Sequence, residues 1–131
     1  MAITFDETTR RILEGKNFAT AATLNPDGGP QASVVWFQRD ADTVLFSITS
    51  DKQKARNLTK DPRVALAIFD IGNPYDSVEI RGRAELIADP GKDLPKQLSH
   101  RYLNEDPPPE PDEVTRLVAR VIPEKVHRFS A

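Results

Sequence analysis

From Ser77 to Ile87 the chain alternates without a break. Val78, Ile80, Gly82, Ala84 and Leu86 fall on one face, and Glu79, Arg81, Arg83 and Glu85 on the other. A period of two is the signature of a strand with one buried side. Small residues at two inward positions, Gly82 and Ala84, suit a tightly curved sheet, as at a barrel corner. Weaker apolar and β-branched runs predict further strands at Phe18 to Leu24, Gln31 to Arg39, Thr43 to Ile48 and Val64 to Phe69. Asn25-Pro26-Asp27-Gly28-Gly29 joins the first two of these, because proline presets its own φ and glycine accepts a positive one. Asp40-Ala41-Asp42 turns the chain again, and the breakers between Asp70 and Asp76 predict a loop. Val114 to Ile122 and Lys125 to Phe129 read as two final strands separated at Pro123.

Three segments carry helical spacing instead. Asp6 to Glu14 places Ile12 and Leu13, with Phe5, on its buried side and ends at Gly15. Asp93 to Tyr102 tolerates Pro95 in its first turn. Ser50 with Gln53 three residues later predicts a capping box opening a third helix, and Asp61-Pro62 closes it. Asp106 to Pro111 holds four prolines in six residues, which suits a stiff exposed connector more than a ligand for a proline-binding domain. Six or seven strands with three short helices, in one domain over residues 1–131, predict a mainly β fold: an antiparallel barrel, closed or nearly closed, since closure removes exposed edges. The core is small for such a barrel, which predicts a homodimer formed through one sheet face. Glu79, Arg81, Arg83 and Glu85 then face solvent or pair across a symmetric interface.

Charge changes this picture at one place. The chain of 131 residues has a net charge of −2, yet five basic residues (Lys52, Lys54, Arg56, Lys60, Arg63) stand between Asp51 and Arg63 against two acidic ones. At about 100° per residue, Lys52, Arg56 and Lys60 share one helix face while Lys54 lies beside Ala55 and Leu58 on the apolar side. Lys52 and Lys54 also fall in the first turn, where the helix dipole disfavours cations. A phosphate at the helix start relieves that conflict; a solvated basic face is the alternative reading.

Composition narrows the chemistry. With no cysteine, disulfides, thiolate catalysis and cysteine-based zinc sites are excluded. His100 and His127 read as surface histidines without a metal-like cluster around them. The acidic balance argues against broad nucleic-acid or membrane-surface binding, no apolar run reaches the roughly 20 residues of a membrane span, and Met1 to Glu7 lacks a signal-peptide layout. The expectation is a soluble, cytoplasmic protein that works on small molecules.

The order of four motifs is specific where each alone is weak: Ala22-Thr23-Leu24-Asn25-Pro26-Asp27-Gly28; Gln31-Ala32-Ser33-Val34-Val35-Trp36-Phe37; Lys54-Ala55-Arg56-Asn57-Leu58 with Asp61-Pro62-Arg63-Val64; and Glu79-Ile80-Arg81-Gly82-Arg83-Ala84. Together they resemble the pyridoxamine 5′-phosphate oxidase-like split β-barrel family, and within it the short branch that uses the deazaflavin coenzyme F420. The resemblance runs from about Phe5 to Phe129.

It implies a homodimer with two cofactor sites at the subunit interface. Backbone groups of the strand carrying Gln31, Ser33, Val34, Val35 and Trp36 would meet the polar edge of the cofactor ring. Ser47, Ile48, Thr49 and Ser50 would cover the ring and sugar-alcohol chain, and Lys54, Arg56 and Asn57 would take the phosphate. Pro74, Tyr75 and Ser77 would close the pocket from the other subunit. Three departures from the FMN-using oxidases weigh against vitamin B6 oxidation: Gln53 where an arginine often precedes the phosphate lysine, Ser77 where a glutamine is common, and a C-terminus without the segment rich in arginine and histidine. The implied activity is an F420H2-dependent reductase handing a hydride to an activated C=C bond or similar acceptor. The alternatives are an FMN-dependent reductase or oxidase on the same barrel, and a carrier that binds a flavin or deazaflavin without turnover. No side chain reads as a general acid; Tyr75 is a candidate proton donor or an aromatic lid. Trp36 reads as a ring contact, a core residue or a dimer contact.

Overall fold

The computed structural model describes residues 2–130; Met1 and Ala131, the two chain ends, lie outside the described residues. The elements are α1 (Glu7–Glu14), β1 (Ala19–Leu24), β2 (Pro30–Val35), β3 (Gln38–Asp40), β4 (Thr43–Thr49), α2 (Gln53–Lys60), β5 (Arg63–Asp70), β6 (Asn73–Ala88), α3 (Asp93–Leu103) and β7 (Arg116–Ser130). All pairings are antiparallel, in one seven-stranded sheet of order β2-β1-β5-β6-β7-β4-β3. The two outermost strands, β2 and β3, are consecutive in the chain and only Trp36 and Phe37 separate them. The sheet therefore curls until its edges are joined by the chain itself instead of by a ladder. This is a split barrel.

The inward positions build the core. Leu66, Ile68, Val78, Ile80, Val44, Phe46, Ala119 and Val121 come from the central strands, α1 adds Ile12 and Leu13, and α2 adds Ala55 and Leu58. The alternation from Val78 to Glu85 holds: Val78, Ile80, Gly82 and Ala84 are buried while Arg81, Arg83 and Glu85 are exposed on the single chain, and Arg81 bonds Glu79 at 3.1 Å. A second cluster lies outside the barrel, where Leu94 and Leu98 of α3 pack on Leu45 with Trp36, Tyr102 and Val118 around them. Burying each of those leucines contributes about 1.5–3 kcal/mol. That contribution fixes α3 against the sheet.

Four expectations need correction. The final two strands are one, β7, running through Pro123. Its register against β6 passes from Arg81↔Lys125 to Gly82↔Pro123, so a bulge absorbs Glu124. A proline at a bulge removes no ladder hydrogen bond. Gly82 lets the backbones meet, because a Cβ there would lie 2.0 Å from the Ile122 carbonyl oxygen. The loop expected over Asp70 to Asp76 is a tight turn, and β6 begins at Asn73. The strand expected from Gln31 to Arg39 is split at Trp36–Phe37, where the sheet edge changes. Finally, Ser50 caps nothing: its N–H donates to the Thr115 carbonyl at 2.9 Å, which keeps it in line with β4, and α2 opens at Gln53 with Lys52 as a cap lacking any side-chain bond.

Among the described residues no helix is long and apolar enough to cross a membrane.

Candidate functional site

On the outside of the barrel, α2, α3 and the proline-rich segment enclose a cleft of about 340 Å³. Val34, Val35 and Trp36 form one wall, Ser47 of β4 also lines it, and Lys54 of α2 and Arg116 of β7 supply its cations. Leu98, Leu103, Pro107 and Pro108 make the facing wall apolar. Among the described residues no carboxylate lines it.

Lys54 is half-buried, and its Nζ donates to the Ser33 hydroxyl at 2.7 Å. Burial, and secondarily the charge of Lys52, hold its pKa below the ordinary lysine value. Among the described residues no carboxylate comes within ion-pair distance of it. A partly desolvated ammonium whose one bond is to a hydroxyl is an electrostatically incomplete arrangement, and an anion completes it. Beside it, β2 is an edge strand paired on one side only. Backbone groups on its other side therefore have no ladder partner.

Trp36 owes its position to α3. Its ring stacks on Tyr102 at 5.0 Å between centroids and 8° between planes. At the split, the Phe37 N–H donates to the Tyr102 hydroxyl (3.3 Å), which donates to the Asn17 carbonyl (2.6 Å). Arg101 donates to the carbonyls of Phe37 (3.1 Å), Leu13 (2.9 Å) and Gly15 (2.8 Å). Where the ladder stops, two side chains of α3 satisfy the backbone groups it would have paired.

The remaining expected residues take other places. Asn57 is buried and serves as a hub: its Nδ2 donates to Thr23 Oγ1 and Asn25 Oδ1, both at 3.0 Å, and its Oδ1 accepts from Gln53 at 2.7 Å. Thr23 passes the chain on to Gln31 Oε1 at 3.1 Å, tying α2 to the first hairpin. Arg56 folds over the start of α2, donating to the Asp51 carbonyl (2.6 Å) and Gln53 Oε1 (2.8 Å). Ile48 is buried in the core, Thr49 is the last residue of β4 and Ser50 opens the turn that follows; neither Thr49 nor Ser50 lines the cleft. Pro74, Tyr75 and Ser77 do not line this cleft. Pro74 and Tyr75 are exposed, and Ser77 borders a concavity of about 290 Å³ on the sheet face with Thr20, Ala67, Glu79, His127 and Phe129. His100 sits on the surface against Asp106 at 2.6 Å.

Arg116, Leu103, Pro107 and Pro108 went unrecognised from the sequence. For Arg116 a signal exists: Arg116, Val118 and Arg120 alternate with Leu117, Ala119 and Val121, which sets its side chain outside the barrel.

Residues 5–129 match the pyridoxamine 5′-phosphate oxidase family. The chain belongs to that family. A pyridoxine/pyridoxamine 5′-phosphate oxidase of Cupriavidus pinatubonensis is 31% identical over 90 residues, 68% of this chain and 42% of that protein; the matched stretch is less than half the length of this curated relative. Among solved structures, an F420 reductase superposes with a TM-score of 0.86 at 32% identity, covering 94% of this chain and 98% of its own. A conserved hypothetical protein of Mycobacterium tuberculosis shares the fold, with a TM-score of 0.79 at 21% identity, covering 98% and 86%.

Proposed function

We propose that the chain is an F420H2-dependent oxidoreductase that reduces a small organic acceptor such as an activated C=C bond. The observation that carries this reading is Lys54: a half-buried ammonium in a cleft without carboxylates, bonded only to Ser33 and beside an edge strand. These residues fit a phosphate-bearing, ring-bodied cofactor. Lys54 would bind the phosphate, β2 backbone groups the polar ring edge, and Trp36 and Ser47 the ring and its chain. Bound there, a reduced deazaflavin supplies the hydride. The protein orients the acceptor against the apolar wall, excludes water and supplies no essential acid, since among the described residues no Asp, Glu or His lines the cleft.

The F420 reductase neighbour supports F420 over FMN, and Gln53 ahead of Lys54 is compatible with it. We propose further that the protein acts as a homodimer through the outer face of β1 and β5. Ala22, Ala65 and Ala67 make that face small and flat, and Phe69, Tyr75 and Phe129 stand exposed at its end. Pro74, Tyr75 and Ser77 of a second copy would complete the site.

The test is to incubate the purified chain with F420 or FMN, remove free cofactor, and record spectra, then to follow oxidation of F420H2 with a simple enone. Retention of F420 with enone-dependent oxidation is expected. Retention of FMN alone supports the flavin alternative, retention of F420 without turnover supports the carrier, and retention of neither overturns the site.

A further inference from the structure

Among the described residues two cations line the cleft, Lys54 and Arg116, and only one is neutralised. Arg116 faces Glu110 with both arms of its fork, Nε at 3.1 Å and Nη2 at 3.2 Å from the two carboxylate oxygens, and turns Nη1 to Ser47 Oγ at 3.4 Å. Lys92 closes the other side, 3.5 Å from Glu110 and 3.0 Å from the Pro111 carbonyl. Glu110, Arg116 and Lys92 are each about three-quarters covered, with side-chain exposures of 23%, 26% and 26%. Glu110 sits among Pro107, Pro108, Pro109 and Pro111, whose fixed φ angles stiffen the backbone that carries it. Lys54 has no such partner.

We propose that Glu110 is a specificity-determining residue: by occupying Arg116 it leaves Lys54 as the one free cation of the cleft among the described residues, and it reserves the wall of Leu103, Pro107 and Pro108 for an uncharged, apolar hydride acceptor. To engage Arg116, a carboxylate-bearing acceptor entering there has to break a bidentate, charge-assisted pair that is already satisfied from outside the cleft lining. An uncharged acceptor breaks nothing. This inference names the substrate class of the site and rests on the cofactor reading above, in which Lys54 is taken by a phosphate.

The test compares two probes of one shape, 2-naphthamide and 2-naphthoate, titrated calorimetrically into the full chain. The background is Lys54→Gln, so that the naphthoate response reports Arg116 alone. Naphthamide is expected to bind about tenfold more tightly than naphthoate. Glu110→Gln, which keeps the shape of the side chain, should tighten naphthoate about tenfold and leave naphthamide within about twofold. Arg116→Gln should weaken naphthoate further. Opposite signs for the two variants separate a charge effect from a loosened segment, which would shift both probes the same way. Equal affinities for the two probes, a ratio unmoved by Glu110→Gln, shifts of one sign in both variants, or no binding of naphthamide would overturn the proposal. Titrating F420 into the unaltered chain and into Lys54→Gln tests the underlying reading separately: loss of cofactor discrimination at Lys54 with intact probe discrimination sinks that reading alone, and the converse sinks this one alone.

Discussion

The ammonium of Lys54 meets the hydroxyl of Ser33 over 2.7 Å, joining the first turn of α2 to the edge strand β2. Removing that cation should act on ligand and fold in opposite directions. A hydrogen bond to a charged group contributes about 1.5–3 kcal/mol, so Lys54→Ala should weaken F420 or FMN binding roughly ten- to a hundredfold. The cofactor-free protein should be as stable as before or slightly more so. Lys60→Ala is the control, because Lys60 stands in the last turn, where the dipole welcomes a cation. Cofactor titration by fluorescence and thermal melting of both variants give the answer. Equal losses in the two would mean a diffuse basic field, and no loss for Lys54→Ala would remove the phosphate site.

The same residue fixes a pH dependence. Burial first, and the charge of Lys52 second, lower the Lys54 pKa from its ordinary 10.5. The folded state therefore releases this proton more readily than the unfolded state does, and raising the pH favours folding. The unfavourable contribution is fully present at neutral pH. It fades as pH rises through the lowered value towards 10.5. Melting of the wild type relative to Lys54→Met, followed from neutral to alkaline pH, should show the wild type gaining. A difference that stays flat or moves the other way contradicts the assignment.

Tyr102 gives two separable handles on the split. Tyr102→Phe keeps the stack on Trp36 but strands the Phe37 N–H and the Asn17 carbonyl, at a cost of about 1–3 kcal/mol for an unsatisfied buried group. Tyr102→Leu also removes the stack. Trp36 is the one tryptophan in the chain, so its emission and near-UV dichroism report the cleft wall directly. Tyr102→Phe should lower the melting temperature with Trp36 signals near those of the wild type, whereas Tyr102→Leu should change both. Identical Trp36 signals in all three proteins would mean that α3 does not position that ring.

Ala67 tests the assembly. It lies exposed on the outer face of β5 opposite Thr20 of β1, so Ala67→Arg should leave the barrel fold intact while placing like charges across any symmetric contact on that face. Sedimentation should show the wild type as a dimer at micromolar concentration and Ala67→Arg as a monomer with weakened cofactor binding. A wild-type monomer that retains cofactor would refute the proposed dimer.

The local patterns were legible wherever one residue's environment depends on its neighbours in sequence. Val78 to Glu85 alternates because one sheet face is buried and the other is wet, and that pattern survives in β6 unchanged. The Asn25–Gly29 turn, α1 and the Pro95 position in α3 are likewise settled within a few residues, as is the misplacement of Lys54 on the apolar side of α2. Where a distant group intervenes, the sequence alone misled. Ser50 had the spacing of a cap, but Thr115 takes its N–H. Pro123 looked like a strand break, but β7 runs through it: Pro123 pairs with Gly82, whose missing side chain lets the backbones meet beside a bulge at Glu124. The bonds that Asn57 makes to Thr23 and Asn25 belong to no local pattern either, because they exist only where α2 packs on the first hairpin. The Glu110–Arg116 pair, the Tyr102 bridge at Phe37 and the apolar wall from Leu103 to Pro108 belong to no local pattern at all. The chain's composition and periodicity determined a β-barrel with one misplaced lysine; closure of the sheet decided what that lysine faces, because curling β2 and β3 to opposite edges is what brings α2, α3 and β7 around a single cleft.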